Sequence, residues 1–167
     1  MAELHSPTVI RPALPHSDIT PLEQLVLSEM FEAHEEPGDT TYYCSSNGPV
    51  TTIYCTTERL REALLSSTEN GSVLSSIVRG ELNSDHPNGD GIFLDLSGIS
   101  WECIFQDILR RSSTLSYITA ITSFTCSKMR PDGFGGMVVL ITSDAIHGKS
   151  TNDVLEELLG EMKLGEQ

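Results

Sequence analysis

The sequence predicts a single α+β domain with a mostly antiparallel sheet of about five strands and about five helices. Its 167 residues match the size of one domain. Hydrophobic residues make up 38% and charged residues 20%, which is typical of a globular chain. Strand-like and helix-like stretches follow one another without regular β-α-β alternation, and this pattern favours an antiparallel sheet.

The first 17 residues are predicted to form an extended N-terminal arm, and residues 18–167 are predicted to form the α+β domain. Three prolines interrupt the arm: Pro7, Pro12 and Pro15. We expect such a segment to be ordered only where a partner or the domain surface holds it. Its apolar side chains, among them Ile10 and Leu14, favour packing on its own domain.

Five helices are predicted from apolar spacing and capping residues. Thr20-Pro21-Leu22-Glu23 is a capping box with proline at the first helical position, so a helix begins at residue 21 and ends before Pro37-Gly38. Later helices are expected over about 57–66, 73–82, 100–111 and from about residue 150 onward, where Ser150 and Asp153 predict a second capping box.

The β-rich segments predict a hairpin and three further strands. Residues 40–46 and 50–55 flank Asn47-Gly48-Pro49, which predicts a hairpin and leaves open a disulfide between Cys44 and Cys55. The remaining strands are predicted at 92–96, 115–126 and 137–142, and the last two are joined by a turn at 130–136. The segment 137–142 is nearly all apolar, as expected of a strand that is buried on both faces or central in a sheet.

Net charge restricts the class of partner. Ten Lys and Arg stand against 24 Asp and Glu, which gives a formal charge of −14. Such a field repels nucleic acid and attracts a basic protein. The alternative is that the charge only keeps the protein soluble.

The charge is concentrated in particular segments. Residues 18–39 hold seven acids and no Lys or Arg, and residues 108–131 hold four basic residues and no acid. We therefore predict that partner binding uses the acids Glu29, Glu32, Glu35, Glu36 and Asp39. Beside the turn at 130–136, Lys128 and Arg130 predict an anion or acidic-partner contact. The simpler alternative is that this segment is only a glycine-rich turn.

The chemically suggestive motifs do not predict a reaction. Gly148-Lys149-Ser150-Thr151 resembles the end of a phosphate-binding loop, but Ser143 stands where that pattern requires glycine. The five histidines have no paired ligand spacing, and the four cysteines form no Cys-x-x-Cys pair. We therefore predict no metal ligand, no cofactor and no catalytic residue. Two weaker alternatives are an acid–base pair among Asp90, Asp95 and Glu102 and a nucleophile at Cys126.

The absence of targeting signals in the sequence predicts a cytosolic location. No apolar run approaches the ~18 residues of a membrane span, and no secretory signal opens the chain. The sequence therefore predicts a cytoplasmic protein with reduced thiols and no membrane partner.

Two stretches resemble short, uncharacterised acidic proteins of bacterial plasmids and other mobile elements. One is residues 15–27, and the other runs from Ser100-Trp101-Glu102 through 124–136 to 149–153. The resemblance implies a mobile-element protein in a bacterial cytosol, where small acidic proteins are often similar to inhibitors of host defence such as anti-CRISPR proteins. It implies no activity and no site residues.

Charge and resemblance together predict a binding protein. It is expected to occupy a basic, nucleic-acid-binding surface of a bacterial defence nucleoprotein without binding nucleic acid itself. One alternative is a regulatory or housekeeping protein of a plasmid or phage, whose contact would use apolar patches or the N-terminal arm. The other is an enzyme of unrecognised type. The partner, the oligomeric state and the strand order stay open.

Overall fold

The predicted α+β class is confirmed. The computed structural model describes residues 3–67, 72–84, 90–130 and 132–164. In this part of the chain, five α-helices accompany an eight-stranded sheet and a separate two-stranded sheet, and all strand pairs are antiparallel. The prediction of about five strands was too low, because the N-terminal segment and two further segments that were not assigned to strands also join the larger sheet.

The elements have the following bounds. The helices are α1 (Pro21–Met30), α2 (Thr57–Ser66), α3 (Val73–Asn83), α4 (Glu102–Arg111) and α5 (Thr151–Leu164). The larger sheet contains β1 (Leu4–His5), β2 (Thr8–Arg11), β3 (Leu14–Pro15), β4 (Glu32–Glu36), β5 (Thr40–Ser45), β8 (Ile118–Cys126), β9 (Gly135–Ile141) and β10 (Ile146–Ser150). The smaller sheet contains β6 (Thr52–Thr56) and β7 (Gly91–Asp95).

The N-terminal segment lies in the middle of the larger sheet. β1 and β2 pair with β8, while β2 and β3 pair with β5. Ile10 and Leu14 are fully buried. The domain itself therefore holds the predicted arm, and packing on its own domain, the favoured alternative, is confirmed.

The first helix begins as predicted but ends earlier. The Thr20 hydroxyl accepts from the Glu23 amide, and the Glu23 carboxylate accepts from the Thr20 amide. After Met30 the chain becomes extended, and β4 forms a hairpin with β5 through a turn in which Gly38 and Asp39 have φ of 89° and 53°. The helix prediction was wrong over residues 32–36, because this segment gains backbone pairing with β5 and has no large apolar side chain to bury on a helix.

The predicted hairpin of residues 40–55 is not formed. β6 pairs with β7, so that Thr52 lies opposite Asp95, while β5 pairs with β4, β2 and β3. Gly48 does occupy a turn, with φ of 84°, but that turn leads into the second sheet. Cys44 and Cys55 consequently lie in different sheets, and all four cysteines are free thiols.

An aromatic cluster packs α4 against the inner face of the larger sheet. Phe31, Tyr43, Trp101 and Phe105 make edge-on contacts with ring centroids 5.7 to 6.4 Å apart. Burial among these rings raises the pKa of Tyr43 to about 12. The cluster brings together two sheet-side residues, Phe31 and Tyr43, and two from the start of α4, so it fixes how the helix sits on the sheet.

The opposite face of the sheet, here called the outer face, is uncovered at β9. β9 lies between β8 and β10, as its apolar sequence predicted for a central strand. Val139 and Ile141 point inward and are buried, whereas Val138 is 47% and Leu140 38% exposed. Burial on both faces, the other option for this segment, is therefore wrong.

A buried ion pair joins α1 to α4. Glu23 is 1% exposed, and Arg111 Nη2 lies 2.7 and 2.6 Å from its two carboxylate oxygens. The same carboxylate caps α1 through the Thr20 amide. Because a buried charge is costly without its partner, this contact makes α1 depend on α4.

Replacing Arg111 with Met should destabilise the protein by about 3–5 kcal/mol, because the Glu23 carboxylate would stay buried without its cation. Urea unfolding followed by circular dichroism measures the change. Arg61→Met, at an exposed position of α2, is the control, and its expected change in stability lies within about 0.5 kcal/mol. Equal effects of the two substitutions would contradict a structural role for the pair.

Candidate interaction surfaces

Residues 32–39, here called the acidic edge, form an exposed border of the larger sheet. β4 pairs with β5 on one side, and no strand pairs with its other side among the described residues. Every residue of the segment is exposed. It carries four carboxylates: Glu32, Glu35, Glu36 and Asp39. A row of unpaired backbone groups flanked by negative charge is suited to contact with an extended basic segment.

The carboxylates of the acidic edge are engaged to different degrees. Glu32 accepts hydrogen bonds from the Ser46 hydroxyl at 2.7 Å and the Ser46 amide at 3.2 Å, and these bonds lower its pKa. Glu35 lies 3.0 Å from His16 Nε2. The side chains of Glu36 and Asp39 make no hydrogen bond or ion pair within the described part of the chain. The latter two are therefore the carboxylates most accessible to a partner.

Glu29 is separated from the acidic edge by the end of the helix. It lies in the last turn of α1, and its carboxylate is 3.6 Å from the Arg59 guanidinium of α2. The sequence predicted one helix carrying Glu29 together with Glu32, Glu35 and Glu36, but the structure puts Glu29 on a different element with a cation beside it. Its charge is thus partly compensated.

Lys128 and Arg130 lie in the connection between β8 and β9, where a turn was predicted. Both are exposed, and Arg130 is 3.8 Å from Asp132. Met129 beside them is 90% exposed. Pro131 of the predicted turn lies outside the described residues. β2 and β5 separate β8 from β4, so the structure does not bring these two cations together with the acidic edge.

Close packing explains two glycines of this connection. A Cβ on Gly133 would lie 2.6 Å from the Cys126 Cβ, and one on Gly136 would lie 3.0 Å from the Thr122 carbonyl oxygen. Both distances are shorter than a side chain can adopt without a shift of the neighbouring atoms. The glycines therefore serve the packing of the hairpin itself, which favours the simpler of the two interpretations of the turn.

One row of side chains crosses the outer face from a carboxylate to an ammonium group. The strand registers place the following residues side by side: Glu32, Cys44, Val9, Ile121, Val138 and Lys149. The centre of this row is apolar, and Ile121 is 42% exposed. The outer face therefore offers an apolar patch between two charged margins.

Helix α5 projects beside the outer face with its apolar side chains in solvent. All its residues from 151 to 162 are exposed. The large apolar residues of this exposed stretch are Val154, Leu155, Leu158, Leu159 and Met162. Val154 and the sheet residues Ile121, Val138 and Leu140 line a groove of about 940 Å³. An amphipathic helix normally buries such a stripe, so groove and helix together form a second candidate surface.

The phosphate-loop resemblance has a different structural explanation. Gly148 and Lys149 are part of β10 and pair with Val139 and Val138. Lys149 Nζ is 2.8 Å from Glu157 Oε2, and this hydrogen bond raises the pKa of the lysine. Ser150 and Asp153 form the predicted capping box of α5. These residues pair strands and start a helix.

The catalytic alternatives are not assembled. Asp95 accepts from the Ser97 amide at 2.9 Å, and Glu102 accepts from the Ser100 hydroxyl, so each carboxylate bonds within its own loop. Cys126 is buried. Among the described residues, no hydrogen bond joins Asp90, Asp95 and Glu102 to one another.

One side-chain cluster was missed by sequence reasoning. Glu32, His34 and Cys44 bring a carboxylate oxygen, an imidazole nitrogen and a thiol sulfur within 4.8 Å of one another. The histidines gave no paired ligand spacing, and Cys44 was assigned to a different hairpin. Only the β4–β5 pairing places Cys44 opposite Glu32.

Comparison of the chain with protein-family models, with curated proteins and with solved structures gives no significant match. None of the described helices is both long enough and apolar enough to cross a lipid bilayer.

We expect no nucleotide binding that depends on Lys149, because this lysine is a strand residue paired with Glu157 rather than part of a phosphate cradle. The Lys149→Ala variant should therefore behave like the wild type. Neither the wild type nor the variant should show an increase in melting temperature with Mg²⁺ and ATP. An increase in the wild type that is lost in the variant would restore the phosphate-loop interpretation.

Proposed function

We propose that the protein is a cytoplasmic binding protein of a mobile genetic element. In this proposal it inhibits a bacterial defence nucleoprotein, of the CRISPR type or similar, by occupying a basic nucleic-acid-binding surface. The observation that carries the proposal is the acidic edge, which has four exposed carboxylates, three of them on β4, and no strand paired with its free side among the described residues. No cofactor and no nucleic acid takes part in it.

Electrostatics supports this choice of partner. With a net charge of −14, the protein repels a phosphate backbone and draws in a basic groove over a distance set by ionic strength. Exposed charge pairs contribute mainly to association rate and specificity, so the acidic edge would direct the encounter while backbone pairing along β4 adds affinity.

Not all predicted binding residues contribute equally in this proposal. Glu36 and Asp39 would make the main contacts, because their carboxylates lack internal partners within the described residues. Glu32 and Glu35 would contribute less. Glu29, with Arg59 beside it, would contribute least. Lys128 and Arg130 would touch a different part of the partner, since two strands lie between them and β4.

Neutralising Glu36 and Asp39 together, as Glu36→Gln with Asp39→Asn, should weaken partner binding by about tenfold, mainly through slower association. The partner is first captured from the native host with the wild-type protein and identified by mass spectrometry. Binding rates are then measured at increasing salt concentration. Wild-type affinity should fall as salt rises, because exposed charges are screened.

The matched control is Glu156→Gln with Glu161→Gln on exposed α5, which changes the net charge by the same amount at a different place. If both double variants bind equally, or if affinity does not change with salt, the acidic edge is not the contact and its charges serve only to block edge-to-edge pairing.

The apolar surface favours a second candidate function. A regulatory protein of a plasmid or phage that does not occupy a nucleic-acid-binding surface would use apolar contacts. The groove beside α5 supplies such contacts. Leu155 and Leu158 are 54% and 53% exposed, which is a large apolar area for a helix to leave in water.

Replacing Leu155 and Leu158 with Gln separates the two candidates. Under the second candidate, capture of the partner should be lost and the Glu36/Asp39 double variant should bind normally. Under the first, the leucine variant should bind within about threefold of the wild type. The same binding measurement serves both, and circular dichroism should show an unchanged fold because neither leucine is buried.

A further inference from the structure

Three potential metal ligands meet at the start of the β4–β5 hairpin. Glu32 and His34 are two residues apart on β4 and therefore point to the same face. Cys44 lies directly opposite Glu32 on β5. Cross-strand neighbours and their diagonal partners lie within reach of long side chains. The three donor atoms are accordingly within 4.8 Å of one another.

The donor set fits a particular ion. Thiolate, imidazole and carboxylate are the three ligand types that zinc accepts in proteins. Calcium and magnesium require oxygen ligands, so the sulfur and nitrogen of this cluster disfavour them. Three protein ligands with an open fourth position are a common zinc arrangement.

Neighbouring side chains orient two of the ligands in advance. Ser46 donates both its hydroxyl and its amide to Glu32 Oε1, which leaves Oε2 of the same carboxylate for a metal. The His34 ring lies against Tyr42 with centroids 6.1 Å apart and an interplanar angle of 30°. Such outer contacts hold ligands in place and increase metal affinity.

We propose that Glu32, His34 and Cys44 bind one Zn²⁺ ion, with water in the fourth position. In a tetrahedral site the donor atoms lie about 3.5 Å apart, so these side chains must close by about 1 Å. Glu32 and His34 are exposed and can rotate to do so. The Cys44 thiol gives its proton to solvent on binding, and its thiolate and the Glu32 carboxylate balance the charge of the ion.

The ion would link β4 to β5 at the open end of the hairpin, where β4 begins shortly after the end of α1. This inference can be tested apart from the proposed function, because it needs no partner. The two share Glu32, whereas His34 and Cys44 take no part in the acidic contact. Its test therefore uses metal alone, and its failure would leave the proposed function untouched.

The experiment is a Co²⁺ titration of the full-length, tag-free protein under a non-thiol reductant. Thiolate-bound Co²⁺ gives a near-ultraviolet charge-transfer band and visible bands of tetrahedral intensity. We expect saturation at one ion per chain and loss of the bands when Zn²⁺ is added. Cys44→Ser should abolish the charge-transfer band, and His34→Ala should weaken binding by at least about tenfold.

Two matched variants serve as controls: Cys103→Ser on α4 and His147→Ala on β10, neither of which belongs to the cluster. Both should bind Co²⁺ like the wild type. A wild type without the band, a band that persists in Cys44→Ser, or a band lost in Cys103→Ser would each overturn the proposal. Circular dichroism of every variant checks that the fold is retained.

Discussion

The whole architecture depends on the pairing of the N-terminal segment inside the larger sheet. β2 exchanges backbone hydrogen bonds with β8 on one side and β5 on the other, so it joins two parts of the sheet that are not otherwise paired with each other in the described part of the chain. The part beyond β8 contains β9 and β10, and the part beyond β5 ends in the acidic edge. Without residues 8–11, the carboxylates of β4 and the apolar surface of β9 would not belong to one face. Ile10, fully buried below this junction, ties the pairing to the core.

The two faces of this sheet have different roles. The inner face carries Tyr43, Ile118 and Ile141, and packing against helix α4 makes it the core of the molecule. The outer face keeps Val138 and Leu140 in contact with solvent. Its margins are chemically distinct, with the carboxylates of β4 on one side and Lys149 of β10 on the other. The acidic edge and the apolar groove are therefore separate surfaces: the first is a border of the sheet, and the second lies between the open outer face and α5.

Local signals in the sequence were sufficient for the helices but not for the strand partners. The Thr20 capping box, the Ser150 capping box and the spacing of apolar residues in α2 and α3 depend on a few adjacent residues, and the structure confirms them. Residues 32–36 lack such a signal, since glutamate favours helices and the strand forms only because β5 is beside it.

The prediction of a hairpin over residues 40–55 failed for the same reason: β6 pairs with β7, which lies some forty residues further along the chain. The Glu32, His34 and Cys44 cluster depends on the β4–β5 pairing and could not be predicted from spacing in the sequence. The acids of the predicted site were chosen because they are clustered in sequence, but which of them have internal partners is decided by residues such as Arg59 and Ser46 from other elements.

The central position of β2 also determines when the domain can be completed during synthesis. Val9 pairs with Ile121, so the ribosome must add more than a hundred residues before that partner exists. At ~5–20 residues per second, this wait is on the order of ten seconds. During that time residues 8–11 can pair only with β5, and the other side of β2 has no partner. The last pairing of the larger sheet, between β9 and β10, becomes complete only after Ser150 has been added.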